Sequence, residues 1–395
     1  MSKLKISLVG LGQRGMVHLK SLGRLSDEDL IEIAAIADPF EENLSDEKIS
    51  KTLNISDVSK IKKFSNTKDL INDNLSDGII FAMPPNQHNG EIELAAKKSI
   101  GILAEKPQSL FLDEILKQND SINNSNTIST VGFQMRYDDG YTDIKKYLSN
   151  KWTASITMAV LGAVEDHGVK HTKTETLGGR SDRIWTSDKK WSGTSIVENG
   201  IHYTDIMRYW TNSDIKWVQA NYTERPENLQ DQEGSNPIAY SVVYGFENGC
   251  VANLLYTKPA RSYFSENYEY IITTHSTVKF EDDYVAYEYL DKDWPPSNKP
   301  NLKDLRKVIS KNPSKQPMME FENTYKMIRT FVEAIDSNDK SKLRCNYENS
   351  INSIASVLAA NASNLLNGDK ININEFITSE KFSKFRSKEK NLITE

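Results

Sequence analysis

The stretch Lys5-Ile6-Ser7-Leu8-Val9-Gly10-Leu11-Gly12-Gln13-Arg14-Gly15 decides how the rest of the chain is read. An apolar run of strand length, Lys5–Val9, breaks directly into a glycine-rich turn, and Arg14–Leu25 continues with helical spacing. Each glycine has a task in that setting. Gly10 permits the tight turn, Gly12 lets backbone approach a pyrophosphate, and Gly15 lets helix pack on strand. The first helical turn, with Gln13 and Arg14, offers free N–H groups and the positive end of the helix dipole to phosphates. Glycines alone are a weak signal; the strand–turn–helix order makes this one a dinucleotide signature.

Outward from that turn, Ile31–Ala37, Gly78–Met83, Ile100–Ala104 and Thr127–Phe133 read as buried strands. Amphipathic stretches at Asn43–Leu53, Thr67–Asn72, Asn89–Lys98 and Leu112–Ile122 separate them. Strands alternating with helices predict βαβ units, hence a doubly wound parallel sheet: a Rossmann domain over residues 1–132. After Phe133 the pattern changes. A helix at Gly140–Leu148 and an unpatterned polar stretch, Glu165–Lys190, give way to strands at Trp217–Thr223, Ala239–Glu247, Cys250–Tyr256, Glu269–Thr274 and Thr277–Glu281. Glu247-Asn248-Gly249 reads as a hairpin turn between two of them. Residues 133–395 are therefore expected to form a second, α/β domain with a large, open, mainly antiparallel sheet. Trp294–Pro317, with five prolines, reads as a surface excursion, Glu320–Asp336 and Tyr347–Asn367 as late helices, and the charged Glu380–Glu395 as an end that frays.

Composition narrows the function. A chain of 395 residues is expected to hold about two cores, and 38% hydrophobic with 26% charged residues excludes a disordered protein. A net charge of −6 speaks against a nucleic-acid partner; Lys60, Lys62 and Lys63, the densest cationic cluster, read as a solvated loop. No apolar run approaches the roughly 18 residues of a membrane span. Met1–Val9 leads straight into the turn and reads as a strand rather than an export signal. Cys250 and Cys345 lack partners at metal-ligand spacing, which predicts reduced thiols, no metal site and a cytoplasmic location.

Asp38 ends the second strand, 23 residues after Gly15, where a carboxylate accepts hydrogen bonds from the adenosine ribose and repels a 2′-phosphate. NAD is the expected cofactor. Arg14 keeps NADP open, since a cation in the turn tolerates an extra phosphate, and Asp38 also reads as a turn or cap residue.

Three further stretches complete a pattern: Pro84-Pro85-Asn86-Gln87-His88, Glu105-Lys106-Pro107, and Glu198-Asn199-Gly200-Ile201-His202-Tyr203-Thr204-Asp205. With the Phe246-x-Asn248-Gly249 hairpin and the late helix pair, this ordered set resembles the glucose–fructose oxidoreductase / inositol dehydrogenase (Gfo/Idh/MocA) family over nearly the whole chain. The resemblance implies an NAD(P)-dependent dehydrogenase acting on a hydroxyl or ketone of a sugar, polyol or sugar-derived acid, without a metal. It implies that Lys106 polarises the substrate oxygen, that a cis bond precedes Pro107, and that His202 serves as general base and acid. Physical reasoning points to the same places, because ligands of an open α/β sheet bind beyond the C-terminal strand ends. Pro84, Asn86 and His88 are expected near the nicotinamide ribose, with helix capping as the alternative for Asn86 and His88; Glu105 is expected to orient backbone or cofactor.

If Thr194–Trp210 is helical, Glu198, His202 and Asp205 share one face. Asp205 would then orient the imidazole, contribute to the substrate site or pair with Arg208. One departure stands out: many sugar and polyol dehydrogenases of the family carry aspartate where this chain has Glu198. Arg136 and Tyr137 match a place where the family lines its substrate cleft, and read equally as a junction salt bridge and a packed ring. His167, His171, Arg180, Arg183, Trp185 and Trp191 fall in a stretch suited to substrate recognition, the tryptophans offering faces to a sugar ring. Two alternatives remain at this point: a glycosidase that holds NAD tightly, and a non-catalytic metabolite sensor, against which Lys106 and His202 argue. A homodimer or homotetramer is expected, with a subunit covering the open sheet.

Overall fold

The computed structural model describes residues 3–162, 184–228, 234–259, 266–274, 276–280, 284–289, 305–307, 317–389 and 391–394. Its first sheet joins β1 (Leu4–Val9), β2 (Ile31–Ala37), β3 (Lys62–Phe64), β4 (Gly78–Phe81), β5 (Gly101–Ala104) and β6 (Ser129–Val131) in the order β3-β2-β1-β4-β5-β6. Every pairing in it is parallel. Helices cover both faces, which is why the strands are almost continuously apolar. On one side lie α1 (Gln13–Asp27) and α2 (Asp46–Leu53), packed with Ile6, Leu8, Ile36 and Ile80. On the other lie α3 (Thr67–Asn72), α4 (Glu91–Lys97) and α5 (Leu112–Ser125), packed with Val9, Ile79, Phe81 and Ile102. The strand order reverses between β1 and β4, opening a crevice at their C-terminal ends.

The lysines read as a solvated loop are in part a strand. Lys62 and Lys63 belong to β3, the sheet edge, where charge deters pairing with another chain. Lys62 is bonded to Asp73 at 2.7 Å and Lys63 to Asp46.

The second sheet holds β7 (Thr153–Leu161), β8 (Ile215–Tyr222), β9 (Ala239–Phe246), β10 (Val251–Thr257), β11 (Glu266–Thr273), β12 (Ser276–Phe280), β13 (Tyr284–Tyr289), β14 (Leu305–Lys307) and β15 (Ile371–Asn372). Their order is β14-β13-β12-β11-β7-β10-β9-β8-β15. β7, which the apolar pattern does not announce, sits at its centre; its pairing with β10 is parallel and the others are antiparallel. The Glu247–Gly249 turn closes the β9–β10 hairpin, with Gly249 at φ +88°. Apart from β14 and Pro317, the proline-rich segment lies outside the described residues, as do His167, His171, Arg180 and Arg183.

Among the described residues, seven more helices complete the frame: α6 (Asp139–Leu148), α7 (Lys189–Ser192), α8 (Ile201–Thr211), α9 (Pro317–Ser337), α10 (Tyr347–Leu365), α11 (Ile373–Thr378) and α12 (Ser383–Arg386). The second sheet buries Ala252, Leu254, Tyr256 and Ile271 in one core with Ile201, Ile206, Ile354 and Leu358 of α8 and α10. Its opposite face presents Val251, Leu255, Tyr268, Tyr270 and Ile272 to solvent.

Helix α9 crosses the expected boundary at 132/133. Its Met327, Ile328 and Phe331 share an apolar cluster with Ile6, Leu19, Leu22 and Ile80 of the first sheet and α1. A Cβ on Gly78 or Gly101 would come within 2.7 or 2.6 Å of Ile335 Cδ1, so small residues there let the helix lie close. The chain end is also corrected. Phe382, Phe385 and Ile393 are buried, Arg386 donates to Phe376 O at 3.1 Å, and Lys388 donates to His88 O at 3.3 Å, so this segment docks instead of fraying.

Candidate active site

The turn after β1 has the shape its glycines require. Gly10 sits at φ +85°, and a Cβ there would meet Ala82 O at 2.2 Å; one on Gly15 would meet Gly10 O at 1.9 Å. Gly12 caps α1 without any side-chain hydrogen bond, and the first turn holds no acidic residue. A helix start left without a side-chain cap suits an anionic ligand. Asp38, at the end of β2, braces this turn: Oδ2 accepts from Leu11 N at 2.7 Å, and Oδ1 from Phe40 N at 2.9 Å and Asn43 Nδ2 at 3.0 Å. A carboxylate has about four acceptor directions, so capacity for a ribose hydroxyl remains. Arg14 points elsewhere than a 2′-phosphate role requires: its Nε donates to Glu105 Oε1 at 2.7 Å.

Glu105 follows β5 and joins the turn to the chemistry. It also accepts from His18 Nε2 at 2.7 Å and from the Lys106 amide at 3.1 Å. A Cβ on Gly132 would lie 2.5 Å from Glu105 Oε2, so glycine makes the room. Burial works against the charged carboxylate, yet the Arg14 guanidinium and His18 hold it far below its ordinary range. His18, fully buried on α1, is a site residue the sequence reading missed; its only signal was a lone histidine on the apolar face of that helix.

The Lys106–Pro107 bond is cis. Lys106 Nζ donates to the carbonyl oxygen of Glu198 at 2.6 Å and stands 3.7 Å from its carboxylate. Glu198 lies in a π-helical turn, Ile196–Gly200, that runs into α8. The wide turn replaces the α-helical step assumed between Glu198 and His202. A second cation, Lys258, donates to Glu198 Oε2 at 3.1 Å. Burial opposes its charge, but Lys258 and Lys106 keep the Glu198 carboxyl below its ordinary value. Lys258 too was missed, lying 60 residues away with no motif around it.

His202 is 8% exposed, stands edge-on to Phe133 with ring centroids 6.4 Å apart, and its Nδ1 has no hydrogen-bond partner among the described residues. Burial first, then the Lys106 charge, depress its pKa well below 6.5, so the ring is neutral at pH 7. A neutral imidazole with an open nitrogen beside an ammonium is the arrangement that proton abstraction from a hydroxyl needs.

Other expected site residues lie apart from this cluster. Asp205 does not touch the imidazole: Arg136 grips it bidentately, Nε and Nη2 each at 2.7 Å, and Ser353 Oγ adds a third bond at 2.7 Å. Arg136 also donates to Arg344 O at 2.6 Å, and the buried Tyr137 hydroxyl accepts from Arg344 N at 3.3 Å. Arg136 and Tyr137 thus form the junction salt bridge and packed ring of their plainer reading, while Asp205 pairs with Arg136 and, at 3.8 Å, with Arg208. Trp191 is buried as well, and presents no face to a sugar; Trp185 is half-buried in a short turn, Trp185–Ser187. His88 pairs with the Glu91 side chain at the start of α4, whose N-cap, Gly90, makes no side-chain cap bond. Asn86, in the turn after Pro84, donates to Lys190 O at 3.4 Å.

Comparison with known proteins identifies the family. Residues 4–133 match the model of an oxidoreductase family with an NAD-binding Rossmann fold, Gfo/Idh/MocA, and residues 161–277 match a C-terminal domain of the same family. The chain belongs to the Gfo/Idh/MocA oxidoreductases. It is 28% identical over 214 residues to the rhizopine catabolism protein MocA of Rhizobium meliloti, covering 54% of this chain and 59% of that protein. It is 24% identical over 219 residues to scyllo-inositol 2-dehydrogenase (NAD+) of Bacillus subtilis, covering 55% and 57%. Both matches span less than two thirds of the relative's length. An oxidoreductase of Agrobacterium radiobacter, solved with NAD+, L-tartaric acid and magnesium, superposes with a TM-score of 0.72 at 15% identity over 95% of this chain and 100% of that one. At that identity the likeness speaks for the fold.

Proposed function

We propose that the chain is an NAD-dependent dehydrogenase of a small polyhydroxylated compound, a sugar, polyol or sugar-derived acid. The observation that carries this reading is the pairing of Lys106 with a buried, neutral His202 whose Nδ1 is open, next to a helix start without a side-chain cap. Gly10, Gly12 and the α1 amides would hold the pyrophosphate, and Asp38 the adenosine ribose, which favours NAD over NADP. When bound, the nicotinamide ring supplies the hydride acceptor. Lys106 then donates a hydrogen bond to the substrate oxygen and stabilises the negative charge developing on it. His202 Nδ1 accepts the hydroxyl proton. Glu198, ionised, offsets the two neighbouring ammoniums.

The relative named scyllo-inositol 2-dehydrogenase supports a polyol substrate. We assign nucleotide binding to residues 1–132, aided by α9, and substrate and subunit contacts to the remainder. A homodimer or homotetramer joined through the apolar open face of the second sheet, in the cytoplasm, fits the exposed Leu255, Tyr268 and Ile272 and the two buried free cysteines. Among the described residues no helix is long and apolar enough to cross a membrane.

The test is NADH formation from NAD with a panel of inositols, sugars and uronates. Lys106→Ala and His202→Ala are each expected to lower kcat/KM by about 10²–10⁴. Wild-type turnover in both variants would end the assignment.

A further inference from the structure

Glu198 has two ammoniums within reach and treats them unequally. Lys258 Nζ makes a hydrogen bond to its Oε2 at 3.1 Å, whereas Lys106 Nζ stays 3.7 Å from Oε1, beyond hydrogen-bond distance, and donates to the Glu198 main-chain carbonyl instead. The side chains of all three are largely buried: Lys258 is 8%, Lys106 11% and Glu198 14% exposed. In so little water, a carboxylate with one cation beside it closes onto that cation. With Lys258 absent, the cation left beside the Glu198 carboxylate among the described residues is Lys106, and a closed Lys106–Glu198 pair would occupy the ammonium that the substrate oxygen requires.

We propose that Lys258 is a positioning residue that draws the Glu198 carboxylate off Lys106 and so keeps the Lys106 ammonium available to the substrate. This rests on the dehydrogenase reading for its purpose, though its geometry does not. Lys258 comes from the end of β10, Glu198 from the π turn before α8, and Lys106 from the end of β5, so the three meet only in the folded chain. The Asn199 side chain, next to Glu198, accepts from Tyr256 Oη at 3.0 Å, which fastens the π turn to β10 and fixes the distance over which Lys258 acts. Among the described residues, the charged groups that act on the Glu198 carboxylate are these two lysines.

The test has one arm that needs no turnover. In protein labelled with ¹³C at glutamate carboxyls, the Glu198 resonance is identified by its loss in Glu198→Gln and followed through a pH titration. Its midpoint is expected below the ordinary glutamate range in the wild type, to move upward in Lys258→Met, and to stay low in Lys258→Arg. Lys258→Gln reads the same quantity if the methionine variant does not fold. In the kinetic arm Lys258→Met lowers kcat about 10-fold or more with NADH affinity unchanged, and Lys258→Arg recovers most of it. The double variant Glu198→Gln with Lys258→Met is no slower than Glu198→Gln alone. An unmoved carboxyl midpoint, or losses that simply add, overturns the assignment of Lys258. Failure of NADH to bind the wild-type protein would instead sink the dehydrogenase reading, and the carboxyl titration still decides the role of Lys258.

Discussion

Two of the buried polar groups on helix α8, His202 and Asp205, stand three residues apart and differ in what is left over. Asp205 spends both oxygens on Arg136 and Ser353, and the Arg136 guanidinium is in turn shared with Arg344 and Asn349. Among the described residues, His202 has a ring nitrogen without a partner and a nearby ammonium that donates to a backbone carbonyl and stands 3.7 Å from a carboxylate. A buried group with every hydrogen bond made has nothing to offer a ligand, and its removal is felt as instability. A buried group with a valence open is tolerated only where something else completes it. Burial and charge alone therefore do not mark a site; what sets His202 apart is an unpartnered nitrogen under the influence of the Lys106 charge.

The largest effect that would break this contrast is on stability. Asp205→Ala strands the Arg136 guanidinium without its carboxylate, and is expected to cost about 3–5 kcal/mol by denaturant unfolding, with kcat per folded molecule little changed. A catalytic loss without instability would put Asp205 back in the site. His202 comes next, through pH. Its folded pKa is depressed, so below 6.5 the unfolded ring takes a proton that the folded ring refuses, and stability falls with pH. Each unit below that value costs about 1.4 kcal/mol until the folded ring titrates. His202→Asn should remove this part of the acid sensitivity, read as a smaller spread of Tm between about pH 5 and pH 7. The acid limb of kcat/KM, if His202 is the base, should also lie well below 6.5.

Glu269 sharpens the comparison with a pH effect of the opposite sign. This buried carboxyl accepts from Tyr141 Oη at 3.2 Å and its Oε2 has no partner among the described residues. Burial pushes its pKa up to about 8. Between 4.5 and about 8 the folded chain keeps a proton that the unfolded chain releases, so stability declines as pH rises through that window. Glu269→Gln should stabilise the protein more near pH 8 than near pH 5, measured as a Tm difference that widens across that range.

Much of this was legible in the sequence because it is local. The Gly10–Gly15 turn, the strand runs of the first sheet and the Glu105-Lys106-Pro107 strand end depend on neighbours within a few residues, and the periodicity shows them. The pairing of Arg136 with Asp205 spans 69 positions and that of Lys258 with Glu198 spans 60, so no window contains both partners. β7 escaped because Thr153–Leu161 mixes small and polar residues, and its burial alternates weakly along the strand. The π turn was equally invisible: Ile196–Gly200 has the composition of an ordinary helix, and one added residue in the turn re-aims everything before it.

The return of α9 to the first sheet has a consequence for how the protein is made. Residues 317–337 cap a surface that β1, α1 and β4 begin to build some 300 positions earlier. During synthesis the nucleotide-binding half must wait, with Ile6, Leu19 and Ile80 incompletely covered, until nearly the whole second half has left the ribosome. Contacts of such long sequence separation form slowly, so the half that appears first in the chain is finished last.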